Sequence, residues 1–117
     1  MSSCIFCKII KGEIPSTKVL ETEDAVVIND IQPQAPVHWL VVPRHHVASL
    51  NDLDEKSRAS ILPQLYAAAD LAATAQGFRG QGYRTVINNQ RLAGQTVFHL
   101  HMHVLAGSPE PLGHFGE

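Results

Sequence analysis

The chain has 117 residues, of which 44% are hydrophobic and 17% charged, and its formal net charge is −2. This length predicts a single domain over residues 1–117. The near-neutral charge disfavours a nucleic-acid-binding protein, because such proteins carry a basic excess or stripe. No apolar run reaches the roughly 18 residues of a membrane span, and lysines interrupt the N-terminal apolar stretch too early for a signal peptide. We therefore expect a cytoplasmic protein that binds neither nucleic acid nor membrane.

Short apolar runs in the first half of the chain predict a helical turn followed by three strands. Residues 5–10 predict the helical turn. Residues 18–21 and 25–30 are rich in β-forming residues, and the Thr-Glu-Asp between them favours a hairpin. The proline-containing connection at 32–36 cannot continue a hydrogen-bonded ladder. It leads into residues 38–42, an apolar run typical of a central strand buried on both faces.

The main helix is predicted to begin near Asp52. Asp52 and Glu55 match a capping box, while Asn51 and Asp54 are alternative caps. Pro63 conflicts with an uninterrupted helix because proline has no N–H, so we expect a kink or a new first turn there. The apolar positions at helical spacing and the terminating glycine are Ile61, Leu62, Leu65, Ala68, Ala69, Ala72 and Gly77.

The C-terminal part predicts two further strands, at 82–88 and 98–105, joined by a polar loop at 89–94. In the second strand three histidines alternate with apolar residues. Side chains of a strand point alternately to its two faces, so the three imidazoles share one face, about 6.6 Å apart. The histidines are His99, His101 and His103, and the residues that face the core are Leu100, Met102 and Val104. The elements together predict an α+β fold: a five-stranded antiparallel sheet with one main helix and a short N-terminal helix.

Three uses of the histidine row remain open from the residues alone. The rings are exposed strand positions without a role, or two of them bind a metal, or one is a nucleophile or proton donor. Asn88, Gly94, Gln95 and Thr96 supply amide, hydroxyl and backbone donors just before the row, which suits a phosphate or carboxylate. Residues 84–107 contain no Asp or Glu to support a metal. The loop therefore favours an anionic ligand.

The two cysteines of the chain, Cys4 and Cys7, form a C-x-x-C motif. In a reducing compartment this spacing indicates metal binding or redox chemistry more than a structural disulfide. A closed zinc site needs four ligands, so two histidines from elsewhere would have to complete it.

The segment from Gly94 to Leu105 resembles the signature of the histidine-triad superfamily, His-φ-His-φ-His-φ-φ with φ apolar. The agreement extends through residues 5–10, 13–15, 30–38 and 41–44, in the same order along the chain. The resemblance is to the Hint-like nucleoside phosphoramidase branch in particular. It implies the five-stranded HIT-like fold.

The resemblance implies a nucleotidyl hydrolase that cleaves purine nucleoside 5′-monophosphoramidates such as adenosine 5′-monophosphoramidate. His101 would attack the α-phosphorus and form a nucleotidyl-histidine, which water resolves. His103 would contact phosphate oxygens and assist the leaving group, and His38 would support the imidazole cluster. A dinucleoside polyphosphate hydrolase, or a nucleotide-binding regulatory or scaffold protein with residual catalysis, is the alternative.

The resemblance also implies how a purine nucleotide is bound. Thr96 and Gln95 would hold phosphate oxygens, with Asn88 nearby, and Asp30 would accept hydrogen bonds from the ribose hydroxyls. Phe6, Ile9, Ile28 and Ile31 would line the base slot. The complete set of expected substrate-binding residues is Phe6, Ile9, Ile28, Asp30, Ile31, Asn88, Gly94, Gln95, Thr96 and Val97.

Two further expectations come from the family. Some members bind a structural zinc through residues that correspond here to Cys4, Cys7, His46 and His99, a Cys2His2 set. Members are also typically homodimers, and here the main helix and residues 83–88 would form the interface. The tail at 108–117 would then reach the partner's site, with His114 as a candidate substrate contact.

Overall fold

The computed structural model describes residues 4–113, so His114 lies outside the described part of the chain. The helices and strands follow one another as α1 (Ile5–Ile10), β1 (Lys18–Glu21), β2 (Ala25–Asn29), β3 (Val37–Pro43), α2 (Glu55–Ala75), β4 (Arg84–Val86) and β5 (Met102–Ala106). Short 3-10 turns at Leu50–Asp52 and Arg91–Ala93 lie in the connections. No helix within residues 4–113 is long and apolar enough to cross a bilayer.

The five strands form one antiparallel sheet in the order β1-β2-β3-β5-β4. This confirms the predicted α+β class with one main helix and one short N-terminal helix. Chain-adjacent β1, β2 and β3 pair as hairpin neighbours, and β5 inserts between β3 and β4. As a result β3 and β5 are central, with Trp39 opposite Val104 and Leu40 opposite His103.

The two faces of the sheet pack against different helices. On one face the α2 side chains Leu65 and Ala69 are fully buried against Val41 and Met102. Burial of a leucine of this kind contributes roughly 1.5–3 kcal/mol. On the other face α1 packs Phe6 and Ile9 against Val26, Ile28, Leu40 and Val42. The strands β2 and β3 are therefore buried on both faces, as the apolar run at 38–42 predicts.

The helix boundaries differ from two expectations. The α2 cap is Asp54, whose carboxylate accepts a hydrogen bond from the Ser57 N–H at 2.8 Å, and not Asp52. Asp52 is part of the preceding 3-10 turn, where its carboxylate accepts a hydrogen bond from the Ser49 hydroxyl. The new first turn that Pro63 could have started is also absent, because α2 continues through it. Pro63 is exposed, so water can satisfy the carbonyl that its missing N–H leaves free.

Both C-terminal strands are shorter than predicted. Strand β4 covers only Arg84–Val86, within the expected 82–88. Strand β5 begins at Met102 and not at residue 98, since the chain bends at 97–99 and the Leu100 N–H bonds to the Val47 carbonyl at 2.7 Å. His99 and His101 consequently lie just before the strand, where their backbone groups are available for other partners.

Candidate active site

Histidines gather where β3 and β5 lie side by side. His38 is on β3, His103 is on β5, and His101 precedes β5. The His103 ring centroid is 5.1 Å from that of His101 and 5.1 Å from that of His38. Phe6 of α1 meets His99 and His101 edge-on, at 5.8 Å and 5.2 Å. The triad therefore lies on the α1 face of the sheet, and the alternating residues Leu100, Met102 and Val104 lie in the α2 core as predicted.

The backbone holds His101 in one tautomer. Its Nδ1 lies 2.8 Å from the carbonyl oxygen of His99. A carbonyl only accepts hydrogen bonds, so this assigns the proton to Nδ1 and a lone pair to Nε2. Burial lowers the pKa of His101, against the opposing effects of the His99 hydrogen bond and of Asp30. The ring is thus neutral at neutral pH, and its Nε2 has the free lone pair that a nucleophile needs.

A hydrogen-bond relay fixes the tautomer of His103. The Gln34 backbone N–H donates to His38 Nδ1 at 2.9 Å, which places the His38 proton on Nε2. His38 Nε2 then donates to His103 Nδ1 at 2.9 Å, so the His103 proton is on Nε2. Burial, followed by His101 and His38, lowers the pKa of His103 to about 4, although Asp30 opposes this. His103 is therefore a neutral ring with one N–H left to donate.

Asp30 lies beside this relay. Its Oδ2 is 3.3 Å from His38 Nε2 and 4.0 Å from His103 Nδ1, and its Oδ1 accepts from the Gln32 N–H. The ligand atoms of Asp30, His38 and His103 lie close enough together to hold a metal ion. However, a metal on His38 Nε2 would require the proton on Nδ1, which already accepts from Gln34. The geometry therefore favours a fixed chain of hydrogen bonds over a second metal site.

A second cluster joins α1 to the segment after β3. Cys4, Cys7, His46 and His99 each offer a ligand atom, and these atoms all lie within 4.8 Å of one another. Cys4 Sγ is 3.3 Å from His99 Nδ1, Cys7 Sγ is 3.3 Å from His46 Nδ1, and the two Nδ1 atoms are 3.1 Å apart. His99 Nε2 lies 2.8 Å from the Pro43 carbonyl, so its proton is there and Nδ1 has a lone pair.

Burial lowers the pKa of His99 to about 4, while burial and the Cys4 thiol raise the pKa of the Cys7 thiol. Both shifts favour the neutral form of the group, the imidazole of His99 and the thiol of Cys7. The Nδ1 atoms of His46 and His99 face each other at 3.1 Å, and that of His99 presents a lone pair. The donor set is compatible with a metal ion.

Three of the four residues expected at the base slot come together. Phe6, Ile9 and Ile28 belong to the buried apolar cluster under α1 and line a crevice too narrow for a water molecule, whose remaining walls are Ile10, Val26 and Val42. Val97 packs against the same group. Ile31 is not part of this crevice and is 92% exposed, at the turn that follows β2.

The loop before the triad contains the other expected substrate residues. Asn88 is partly buried just after β4, and Thr96 is exposed. Gly94 has a φ of +102° at the end of the 3-10 turn, a conformation that favours glycine. A ligand can therefore come close to the backbone at Gly94, which has no side chain, and can reach the exposed Thr96 hydroxyl.

Gln95 is arranged differently from the expectation. Its side chain is almost completely buried, with Nε2 donating to the carbonyls of Ala48 at 2.6 Å and Val97 at 3.0 Å. Its Oε1 accepts from the Gln90 N–H at 2.7 Å. Both amide hydrogens are used within the protein, which leaves none for a phosphate oxygen.

Several groups that shape the site were not identified from the sequence. The Gln34 N–H and the Pro43 carbonyl set the tautomers of His38 and His99, and both are backbone groups that every residue type supplies. Gln90 and Ser49 anchor the loop through a hydrogen bond of 2.8 Å. No residue pattern distinguishes these positions.

The fold and the site together define a class of protein: an α+β sheet whose central strands carry a cluster of histidines beside a Gly-Gln-Thr loop. The chain belongs to the HIT domain family, whose family model matches residues 11–110.

Named relatives cover most of the chain. It is 40% identical over 114 residues to an adenosine 5′-monophosphoramidase from Candida albicans, across 96% of this chain and 75% of that protein. It is 38% identical over 105 residues to a purine nucleoside phosphoramidase from Escherichia coli, across 90% of this chain and 87% of that protein. A HIT family hydrolase structure from Clostridium thermocellum matches with a TM-score of 0.91 and 43% identity, covering 100% of this chain and 99% of that one.

Proposed function

We propose that this protein hydrolyses purine nucleoside 5′-monophosphoramidates, such as adenosine 5′-monophosphoramidate, through a nucleotidyl-histidine intermediate. The observation that carries the proposal is the pair of fixed tautomers: His101 presents a lone pair on Nε2, and His103 presents a proton on Nε2. Cleavage of a P–N bond requires a nucleophile and, beside it, a hydrogen-bond donor for the leaving group. The phosphoramidase names of two relatives support the same substrate class.

In the first step His101 Nε2 attacks the α-phosphorus, and the P–N bond to the leaving amine breaks. The amine takes a proton from solvent and departs neutral, while the His103 Nε2–H stays hydrogen-bonded to the leaving nitrogen. His101 then carries the nucleotidyl group on Nε2 and a proton on Nδ1, and the His99 carbonyl stabilises the resulting positive charge.

In the second step water attacks the phosphorus and releases its proton to solvent, while the His103 Nε2–H donates to a phosphate oxygen. The bond between phosphorus and His101 breaks, and the nucleoside monophosphate leaves. Since His38 keeps its own proton on Nε2, it orients His103 without changing charge. The relay therefore keeps the His103 N–H directed at the leaving group and the phosphate through both steps.

The substrate contacts follow from the placement of the remaining residues. The base would pack against the outer edge of the cluster of Phe6, Ile9 and Ile28, because the crevice between these side chains has no room for a ring. Asp30 accepts from the ribose hydroxyls through Oδ2, and Thr96 donates to a phosphate oxygen. Ile31 and Asn88 flank these contacts.

His101→Ala tests the proposal. We expect loss of adenosine 5′-monophosphoramidate turnover with AMP binding retained, because the side chain that forms the covalent bond is removed and the base slot is not. Rapid quenching with labelled substrate should trap a nucleotidyl-protein in the wild type and none in the variant. Wild-type turnover in a folded His101→Ala protein would contradict the mechanism. Faster turnover of diadenosine polyphosphates, or tight AMP binding without turnover in the wild type, would instead favour one of the alternative functions.

We further propose that Cys4, Cys7, His46 and His99 bind one structural zinc ion. Tetrahedral zinc with nitrogen and sulfur ligands requires edges of about 3.3 Å for N···N and about 3.5 Å for S···N. The observed 3.1 Å between the His46 and His99 nitrogens, and 3.3 Å from Cys4 Sγ to His99, fit these edges. With four protein ligands the site is closed, so zinc supplies cross-linking between α1 and the β3–β5 region and takes no part in the chemistry.

Metal analysis of protein purified without chelator should give about one zinc per chain. His46→Gln should lose most of the metal and melt at a lower temperature. His45→Gln is the matched control, because the neighbouring ring lies outside the cluster and should keep both metal and melting temperature. Equal metal content in the two variants would contradict the assignment.

We also propose that two copies associate through α2 and β4. Strand β4 is an edge of the sheet, so its outer backbone groups are free to pair, and Tyr66 and Leu71 of α2 are 51% and 53% exposed. Leu71→Glu should shift the sedimentation mass from dimer to monomer, whereas a monomeric wild type would overturn the proposal.

A further inference from the structure

The backbone of Gln90 adopts a conformation that is open almost only to glycine. Its φ is +77° and its ψ is +166°, and within residues 4–113 it is the one non-glycine residue with positive φ. Such a conformation is strained for a residue with a Cβ and persists only where its surroundings enforce it. Gln90 lies in the loop between β4 and β5, a few residues before Gly94 and Thr96.

Gln90 and Gln95 hold each other through two backbone groups. The Gln90 N–H donates to Gln95 Oε1 at 2.7 Å, and the Gln95 N–H donates to the Gln90 carbonyl at 3.1 Å. We call this reciprocal pair the glutamine clasp. It closes the chain between the two residues into a ring that includes the 3-10 turn at Arg91–Ala93.

The clasp is tied to the rest of the protein on both sides. On one side Gln95 Nε2 bonds the carbonyls of Ala48 and Val97, so the residues on either side of Thr96 are fixed. On the other side Gln90 Nε2 donates to the hydroxyl of Ser49, which is fully buried. These contacts enforce the unfavourable Gln90 backbone.

We propose that the glutamine clasp positions the Gly94–Thr96 segment to bind the substrate phosphate, which makes Gln90 and Gln95 positioning residues of the proposed phosphoramidase. Thr96 is exposed between two anchored neighbours, so its backbone N–H and its Cα–Cβ bond have a set direction before substrate arrives. The strain at Gln90 is retained because relaxing it would turn the loop away from that direction. The inference rests on the proposed function, since it assigns the loop to that reaction.

Two substitutions at position 90 separate the backbone from the side chain. Gln90→Ala and Gln90→Gly both lose the hydrogen bond to Ser49, but only glycine accepts the φ of +77° without strain. We expect Gln90→Gly to keep a KM close to that of the wild type and to melt at a higher temperature than Gln90→Ala. Gln90→Ala should raise KM and the Kd for AMP together, with kcat/KM lower by on the order of tenfold to a hundredfold.

Gln95→Met, of similar volume but without hydrogen bonds, should raise KM in the same way. Asp54→Ala is the control for lost stability alone, because the α2 cap lies outside the site and its KM should not change. If Ala and Gly at position 90 give the same KM, or if Gln95→Met keeps the wild-type KM, the clasp does not position the phosphate loop. Failure of the proposed function has a different signature, namely turnover that survives His101→Ala.

Discussion

Acidification tests the environment assigned to His103. Burial, then His101 and His38, lowers the pKa of His103 to about 4 from 6.5, while Asp30 opposes the change. In the unfolded chain the ring takes up a proton as the pH falls through about 6.5, but the folded ring stays neutral until about pH 4. The stability that depends on this residue is therefore complete above pH 6.5 and is lost as the pH falls toward 4.

The interval from 6.5 to about 4 corresponds to roughly 3 kcal/mol, at about 1.4 kcal/mol per pH unit. The His103 side chain is 21% exposed, so solvent screens part of the penalty. We expect His103 to account for about 2 kcal/mol of the decrease in unfolding free energy between pH 7 and pH 4.

Urea unfolding of the wild type and of His103→Gln across this range measures the effect. Glutamine keeps a polar group at the position but does not titrate, so the free energy of the variant should fall less steeply with acid. The comparison is made with the two proteins in the same metal state, so that titration of the remaining histidines cancels in the difference. Parallel stability curves for the two proteins would refute the assigned environment.

Two stability predictions follow from local geometry. Asp54→Ala should lower the unfolding free energy by about 1 kcal/mol because it removes the α2 cap, whereas Glu55→Ala in the same exposed turn should cost only a few tenths; urea titration measures both. Gly107→Ala should cost about 1–2 kcal/mol, since φ is +81° and the added Cβ would lie 3.1 Å from Val37 Cγ2. Gly113→Ala is its matched control, because no heavy atom of residues 4–113 lies within 4 Å of the added carbon, and similar melting temperatures for the two glycine variants would contradict this geometry.

The sequence predicted the order and type of the elements because apolar periodicity reflects burial directly. The runs at 18–21 and 38–42 are strands, and the apolar positions Leu65 and Ala69 of α2 face the core. Boundaries were less accurate. The α2 cap was assigned to the wrong aspartate because both candidates match the pattern, and only the 3-10 turn at Leu50–Asp52 separates them.

The site was predictable as a set of side chains but not as a set of hydrogen bonds. Period-two spacing placed His101 and His103 on one face. Their tautomers, however, depend on the His99 carbonyl and the Gln34 N–H, which are backbone groups present in every residue type. Gln95 shows the same limit. An amide side chain can donate to a phosphate, but the Gln95 amide donates to the Ala48 and Val97 carbonyls instead. A glycine at position 90 would have indicated a positive φ, whereas a glutamine there gives no sign of it because glutamine rarely adopts that conformation.

His99 belongs to both clusters, but through different parts of the same residue. Its imidazole faces Cys4 and His46, whereas its main-chain oxygen orients His101. Only the first of these depends on residue type, since any amino acid at position 99 presents a carbonyl. The two tasks are therefore separable by mutation: a protein of this architecture can lose the cysteine–histidine cross-link and still direct the lone pair of His101.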